Sequence, residues 1–129
     1  QLGKSLPNAR NLPMIAALLG HALIASEDRA NFTEAKQVLK NAVNRDNDNP
    51  FAWYALGIVY DREGDQSRAA LATAERSNLE GNDKLALASA RMAMAGLRQG
   101  TPDYLRAQDI AMVSETALKK DKGKRERQQ

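Results

Sequence analysis

The chain has 129 residues, a net charge of +3 and no cysteine. A chain of this length can bury a core without a metal or a disulfide, and the lack of cysteine excludes disulfides, thiolate zinc sites and cysteine nucleophiles. Six basic and two acidic residues from Lys119 onward give that segment a charge of +4, which leaves Gln1–Leu118 at about −1. The folded part therefore lacks the domain-wide basic surface expected of a nucleic-acid-binding domain.

Apolar residues recur at helical spacing along almost the whole chain, without the alternating pattern of strands. We therefore predict an all-α fold of about six helices. The first is predicted from Leu12 or Pro13 to Ser26, because a proline suits the first turn. The second is predicted from Thr33 to Asn44, with Thr33 as its N-cap. The apolar stripe of this second helix consists of Ala35, Val38, Leu39, Ala42 and Val43.

The next four helices are predicted from proline starts, glycine stops and polar caps. Gly64 supplies the left-handed residue that ends the third helix, and Asp65 or Ser67 caps the fourth. The third helix is predicted over Pro50–Glu63, and the fourth from its cap to Leu79. The fifth is predicted over Asp83–Arg98, and the sixth from Thr101 and Pro102 to Lys119. The last residues lack an apolar anchor. We therefore predict a folded domain over residues 1–118 and a disordered basic tail over 119–129.

The sequence contains an internal repetition, which favours stacked helical hairpins over a simple bundle. The segments LLGHAL and ALGIVY align, and each is followed by an alanine, Ala35 and Ala69, at the start of the next helix. The central unit resembles the tetratricopeptide repeat, a helical hairpin of about 34 residues, and the two alanines are one such repeat length apart. The residues that match its signature are Trp53, Leu56, Gly57, Tyr60, Gly64 and Ala69. The resemblance implies a short right-handed solenoid of antiparallel helical hairpins, in which Gly57 and Ala69 let two helices approach closely.

The match to the repeat weakens downstream of the central unit. Thr73 and Arg76 stand where the repeat family prefers a large apolar residue and a small one. Gly81 follows Gly64 by half a repeat length instead of a whole one. We therefore leave the hairpin register open beyond Leu79.

The resemblance also implies a binding groove, because the first helix of each hairpin lines the concave side of such a solenoid. Its side chains would be Met14, Ala17, His21 and Ile24 on one helix and Phe51, Tyr54, Ile58 and Arg62 on another. Tyr54 and Ile58 depart from the basic and asparagine residues of those repeats that clamp a C-terminal carboxylate. An apolar protein segment, extended or helical, is therefore the predicted ligand.

Three segments resemble a narrower family. They are the opening LPNARNLPMIAALLGHALIA, the internal ERSNLEGNDKLALASARMA and above all the closing GTPDYLRAQDI. They are similar to the C-terminal repeat region of bacterial HExxH zinc metalloproteases of the periplasmic, barrel-assembly-enhancing type. The resemblance implies that this chain is part of a longer protein of the periplasm or cell envelope, with the protease domain and its zinc upstream of Gln1. The alternatives are a free-standing repeat adaptor and a cytoplasmic location.

Residues with catalytic potential are few and scattered. His21 is the only histidine, so it cannot by itself assemble a zinc site, and a Ser-His-Asp triad is not expected around it. The carboxylates cluster in the turns RDNDN and DREGD, where they suit helix capping better than acid–base catalysis. We therefore predict no catalytic residue, metal ligand, cofactor or small-molecule substrate in this chain.

The expected function is non-catalytic protein–protein interaction, in which the repeats recruit a substrate or dock the protein to an assembly machine. A lower-ranked alternative is that the basic tail binds nucleic acid or an anionic surface. It ranks lower because no aromatic residue is interleaved with the basic ones. No transmembrane segment is predicted, because the longest apolar run is too short to cross a bilayer. The oligomeric state is left open.

Overall fold

The computed structural model describes residues 29–128, and within this range the chain forms five helices and no strand. The helices are α1 Arg29–Arg45, α2 Pro50–Arg62, α3 Gln66–Leu79, α4 Asp83–Gly96 and α5 Pro102–Arg127. The prediction of an all-α fold is confirmed for this part of the chain. The predicted first helix lies outside the described residues, and so do the candidate groove residues Met14, Ala17, His21 and Ile24.

Helices α2 to α5 each begin with a polar side chain that accepts a hydrogen bond from a backbone N–H of the first turn. The capping residues are Asn49, Asp65, Asn82 and Thr101. Of the two candidates for the α3 cap, Asp65 is the one used, because its Oδ1 accepts from the Arg68 N–H at 3.1 Å. The connections contain three glycines with positive φ, at Gly64, Gly81 and Gly100. These local signals explain why α2 and α3 end within one residue of prediction.

Two helix boundaries differ from prediction in the body of the fold. The described part of α1 starts at Arg29, so Thr33 lies inside the helix and is not its N-cap. Phe32, in this earlier turn, packs against buried side chains of α1 and α2, which stabilises the longer helix. At the other boundary, α4 ends at Gly96 because Leu97 already adopts an extended backbone, with φ −88° and ψ 151°.

Helix α5 continues to Arg127 instead of ending near Lys119, so the described part of the segment predicted as a basic tail is helical. Lys, Arg and Glu are good helix formers, and extending an existing helix requires no new nucleation. The basic residues of the last turn also lie at the negative end of the helix dipole. A lack of apolar residues deprives this segment of a core without removing its helix propensity.

Successive helices pack side by side through short connections, and α3 also contacts α5. The first core cluster joins α1 and α2 through Ala35, Leu39, Ala42, Val43, Ala52, Ala55, Leu56 and Val59. The second core cluster joins α3, α4 and α5 through Ala70, Leu71, Ala74, Ala86, Ala90, Ala93, Ala107, Ile110 and Ala111. The predicted stripe of the second helix is thus buried, apart from half-buried Val38.

The signature residues of the central unit have distinct packing roles. Leu56 is buried in the first core cluster, and the Trp53 Nε1–H donates to the Asn47 carbonyl at 2.9 Å, which ties α2 to the preceding loop. Gly57 lies against α3, but a Cβ at Gly57 would be 3.5 Å from the Ala72 Cβ, an ordinary contact. The close approach of α2 and α3 therefore does not depend on Gly57, contrary to expectation.

Candidate functional site

The predicted groove residues on α2 do not all lie together. Tyr54 is 47% exposed, and with half-buried Ile58 it lines a cavity of about 130 Å³. Phe51 is half-buried and packs against the first core cluster. Arg62 lies elsewhere, with its guanidinium carbon 5.3 Å from the centroid of the Phe32 ring. The structure therefore brings Tyr54 and Ile58 together but separates Arg62 from them.

The cavity beside Tyr54 lies between α2 and α3, and we call it the Tyr54 cavity. It is lined by Trp53, Tyr54, Gly57, Ile58, Thr73 and Arg76. The Arg76 guanidinium stands over the Tyr54 ring at 5.6 Å from its centroid and donates to Glu80 Oε1 at 3.2 Å. Thr73 and Arg76 are the two positions at which α3 departs from the repeat pattern. Both departures therefore place side chains at the candidate surface.

Helix α4 carries an exposed apolar stripe that the apolar pattern of the sequence did not predict. Leu85 is 40% exposed and Met92 is 64% exposed, and Ala88 and Ala95 are exposed as well. At about 3.6 residues per turn, these positions fall on one side of the helix. We call Leu85, Ala88, Met92 and Ala95 the α4 stripe.

The α4 stripe continues the pattern of α2 at the period of the central repeat. Shifting Phe51, Tyr54 and Ile58 by one repeat length gives Leu85, Ala88 and Met92. The buried positions follow the same shift: Ala52, Ala55, Leu56 and Val59 of α2 correspond to Ala86, Ser89, Ala90 and Ala93 of α4. Helices α2 and α4 therefore bury equivalent faces, and the exposed α4 stripe corresponds to the α2 face on which Tyr54 is exposed and Phe51 and Ile58 are half-buried.

This correspondence could have been found from the sequence by adding one repeat length to each groove position. The spacing of the glycines suggests a different alignment of the repeats. It is misleading because Gly64 follows α2 whereas Gly81 follows α3, so the two glycines do not occupy equivalent positions. In α4, alanines also stand where α2 has large residues, which makes the repeat hard to recognise from the sequence. Leu56, for example, corresponds to Ala90.

A second cavity of about 130 Å³ lies where Trp53, Leu56 and Tyr60 meet α1, α3 and α5. Burial, followed by the charge of nearby Asp103, raises the pKa of the Tyr60 phenol. Helices of the first core cluster thus contact helices of the second core cluster around this cavity.

Two ion pairs between α3 and α5 border the second cavity. Arg106 donates from Nε and Nη2 to both carboxylate oxygens of buried Glu75, at 2.9 and 2.7 Å. This hydrogen bonding raises the pKa of Arg106. Arg68 donates from Nε to Asp103 Oδ2 at 2.9 Å. Since these charges are already paired, the second cavity is better suited to holding helices together than to binding a charged ligand.

Within residues 29–128, no three His, Cys, Asp or Glu side chains are grouped so as to hold a metal ion. Across the same residues, no helix combines the length and apolar character needed to span a bilayer. The Tyr54 cavity and the α4 stripe offer aromatic, aliphatic, thioether and guanidinium groups.

Comparison of the chain with sequence models of known protein families, with curated proteins and with solved structures finds no match.

Proposed function

We propose that this chain is a non-catalytic interaction module that binds an apolar segment of another protein in a channel between α2 and α4. The observation that carries the proposal is the exposed α4 stripe. It repeats, one repeat length further along the chain, the face of α2 that bears Tyr54 and Ile58. We call the space between these two faces the α2–α4 channel.

Contacts around α3 support the position of this channel. Arg76 stands over Tyr54 of α2, whereas Ala74 belongs to the second core cluster with α4. At helical spacing, Thr73 lies between the side of α3 that faces α2 and the side that faces α4, which puts it at the floor of the proposed channel. Glu75 points instead toward α5, with which it forms an ion pair. The channel therefore opens on the side of α3 that faces away from α5.

The orientation of α4 supports the same channel. Arg91 donates to Glu115 of α5 at 3.2 Å, which identifies the flank of α4 nearest α5. Leu85 and Met92 lie on the opposite flank of the buried face of α4. The two apolar faces would thus border Thr73 from its two sides.

The side chains of the α2–α4 channel define the ligand chemistry. Tyr54 and Ile58 offer aromatic and branched surface, and Met92 can adapt its shape to different apolar partners. The cation at the edge, Arg76, is already paired with Glu80. An amphipathic helix that presents apolar residues on one face fits such a surface, since it can bury that face without leaving a charge unpaired.

A peptide selection tests this function. Phage-displayed random peptides selected on the full chain should converge on apolar, helix-forming segments, and a synthetic copy can be titrated by fluorescence polarisation. Met92→Glu places a charge on the α4 side of the channel and should weaken the binding of this peptide by about tenfold or more, equivalent to about 1.4 kcal/mol. Met112→Glu is the matched control, because Met112 is 62% exposed but lies on α5.

A second readout comes from the single tryptophan of the chain. Trp53 lines the Tyr54 cavity, so its emission should change when the peptide binds, and this change should be lost in Met92→Glu. The proposal is contradicted if the two methionine variants lose affinity equally, or if the selection yields only polar peptides.

The wider setting rests on the family resemblance of the closing GTPDYLRAQDI and the two other matching segments. We propose that the repeats belong to a longer cell-envelope zinc metalloprotease, for which they recruit substrate or dock to an assembly machine. The zinc and the catalytic residues would then belong to the upstream part. Sequencing the gene ahead of Gln1 tests this: an HExxH motif in the same chain supports it, and its absence leaves a free-standing adaptor.

A further inference from the structure

The end of α5 is an exposed cationic surface that the α2–α4 channel does not use. From residue 119 onward it carries six basic residues, which are Lys119, Lys120, Lys122, Lys124, Arg125 and Arg127. Within the described residues, Lys119 is the member of this set that forms an ion pair, with Glu115 at 3.1 Å. We call these six residues the cationic end.

The helical conformation gathers several of these cations around one depression. Lys119, Lys120, Lys124 and Arg127 line an open hollow of about 560 Å³ near the start of α4. Gly123 lies among them and contributes no side chain to the hollow. Two carboxylates, Asp83 and Asp121, also border the hollow. Cations therefore outnumber carboxylates two to one in this part of the surface.

Exposed apolar side chains adjoin the cationic end on the same helix. Met112 is 62% exposed and Val113 is 50% exposed. At helical spacing, the side of α5 that carries Met112 continues through Thr116 to Lys120. Apolar surface next to a dense group of Lys and Arg is typical of helices that lie on anionic membranes.

We propose that the cationic end of α5 binds the surface of a membrane that contains anionic phospholipids. Lys120, Lys124 and Arg127 contact the headgroup phosphates, and Met112 reaches the apolar boundary. Single-stranded nucleic acid is the poorer fit, because it rewards aromatic side chains on which bases stack. The single aromatic residue of α5, Tyr104, lies at the opposite end of the helix.

Vesicle flotation of the full chain tests the proposal. The chain should bind vesicles of phosphatidylcholine mixed with phosphatidylglycerol but not vesicles of phosphatidylcholine alone, and added salt should weaken the binding. Each cation near an anionic surface contributes about a fivefold factor, so Lys120→Ala/Lys124→Ala/Arg127→Ala should lower the partition coefficient about a hundredfold. These side chains are exposed and outside both core clusters, and circular dichroism checks that the fold is retained.

A triple variant of equal charge provides the control. Lys40→Ala/Arg45→Ala/Arg98→Ala removes three exposed cations from other parts of the surface and should bind the mixed vesicles almost as tightly as the wild type. The proposal is overturned if the two triple variants lose binding equally, or if the wild type does not bind the mixed vesicles. Tighter binding to duplex DNA or to polyglutamate at the same salt concentration would also overturn it.

A further variant separates this proposal from the peptide channel. Met112→Ser should weaken vesicle binding about fivefold, because it removes apolar surface next to the cations. The same variant should leave the selected channel peptide bound as tightly as before. Loss of the peptide but not of the vesicles would contradict the membrane role of Met112.

Discussion

The α1–α2 and α3–α5 parts of the described chain follow one helical plan but are held together by different interactions. Leu39, Leu56 and Val59 fill the first core cluster, and aromatic side chains pack around them. The second core cluster is mostly alanine, and two ion pairs link α3 to α5 across its edge. Burial of large side chains thus stabilises one part, while close helix packing with interhelical ion pairs stabilises the other. The equivalence of Leu56 and Ala90 shows that the backbone pattern tolerates either solution.

The largest effect is expected in the first core cluster. Leu39→Ala removes a fully buried side chain from a well-packed site and should lower the free energy of unfolding by about 3 kcal/mol. Val38→Ala, on the same helix but half-buried, should cost about 1 kcal/mol. Urea unfolding of both variants measures the difference, and equal costs would contradict the assignment of Leu39 to the core.

The next largest effect is expected at the ion pairs of the α3–α5 part. The Glu75 side chain is 7% exposed and holds Arg106 by two hydrogen bonds, so Glu75→Ala should cost about 2 kcal/mol. The Asp103 side chain is 44% exposed in its pair with Arg68, and Asp103→Ala should cost less than about 1 kcal/mol. Thermal or urea unfolding measures the loss of stability in each variant. Equal losses would show that burial does not decide the strength of these ion pairs.

Two glycines should respond in opposite directions to the same substitution. Gly57→Ala should raise the stability of α2 by about 0.5 to 1 kcal/mol, because alanine favours helix and its Cβ fits beside Ala72. Gly64→Ala should lower stability by about 1 kcal/mol, because Gly64 has a φ of 80°. Destabilisation by Gly57→Ala would restore a steric role for this signature residue.

The smallest effect is expected at Tyr60, where the first core cluster meets the ion pairs. Burial raises the pKa of Tyr60, so the folded state favours the protonated phenol. This contribution to stability is complete below the unfolded pKa of about 10 and is lost as the pH rises through the higher folded value. Wild type should therefore lose more stability than Tyr60→Phe above about pH 10, as measured by urea midpoints. Parallel losses in the two proteins would contradict the raised pKa.

The helix ends that depend on local signals could be predicted from the sequence, whereas the others could not. The ends of α2 and α3 are set by local signals such as the Asp65 cap and the left-handed Gly64, and these were predicted within one residue. The starting part of α1 depends on Phe32 packing against residues distant in sequence. The helical end of α5 depends on propensity in a segment without a core. Neither effect appears in a local apolar pattern.

The candidate site was partly predictable, because large residues mark the repeat on α2 but not on α4. Tyr54 and Ile58 are predicted groove residues because large residues mark the repeat on α2, and both line the Tyr54 cavity. The α4 stripe was missed because its helix packs through alanines, which carry little signature. Exposure of Met92 becomes visible only when the buried residues of α4 are known.

The α2–α4 channel is tested most directly by the methyl signals of the methionines. The chain has four methionines, and Met92 and Met112 are almost equally exposed on different helices. With ¹³C-methyl-methionine labelling, titration of the selected apolar peptide into the full chain should shift the Met92 methyl resonance and leave that of Met112 in place. A shift of Met112 with Met92 unchanged would contradict the proposed channel.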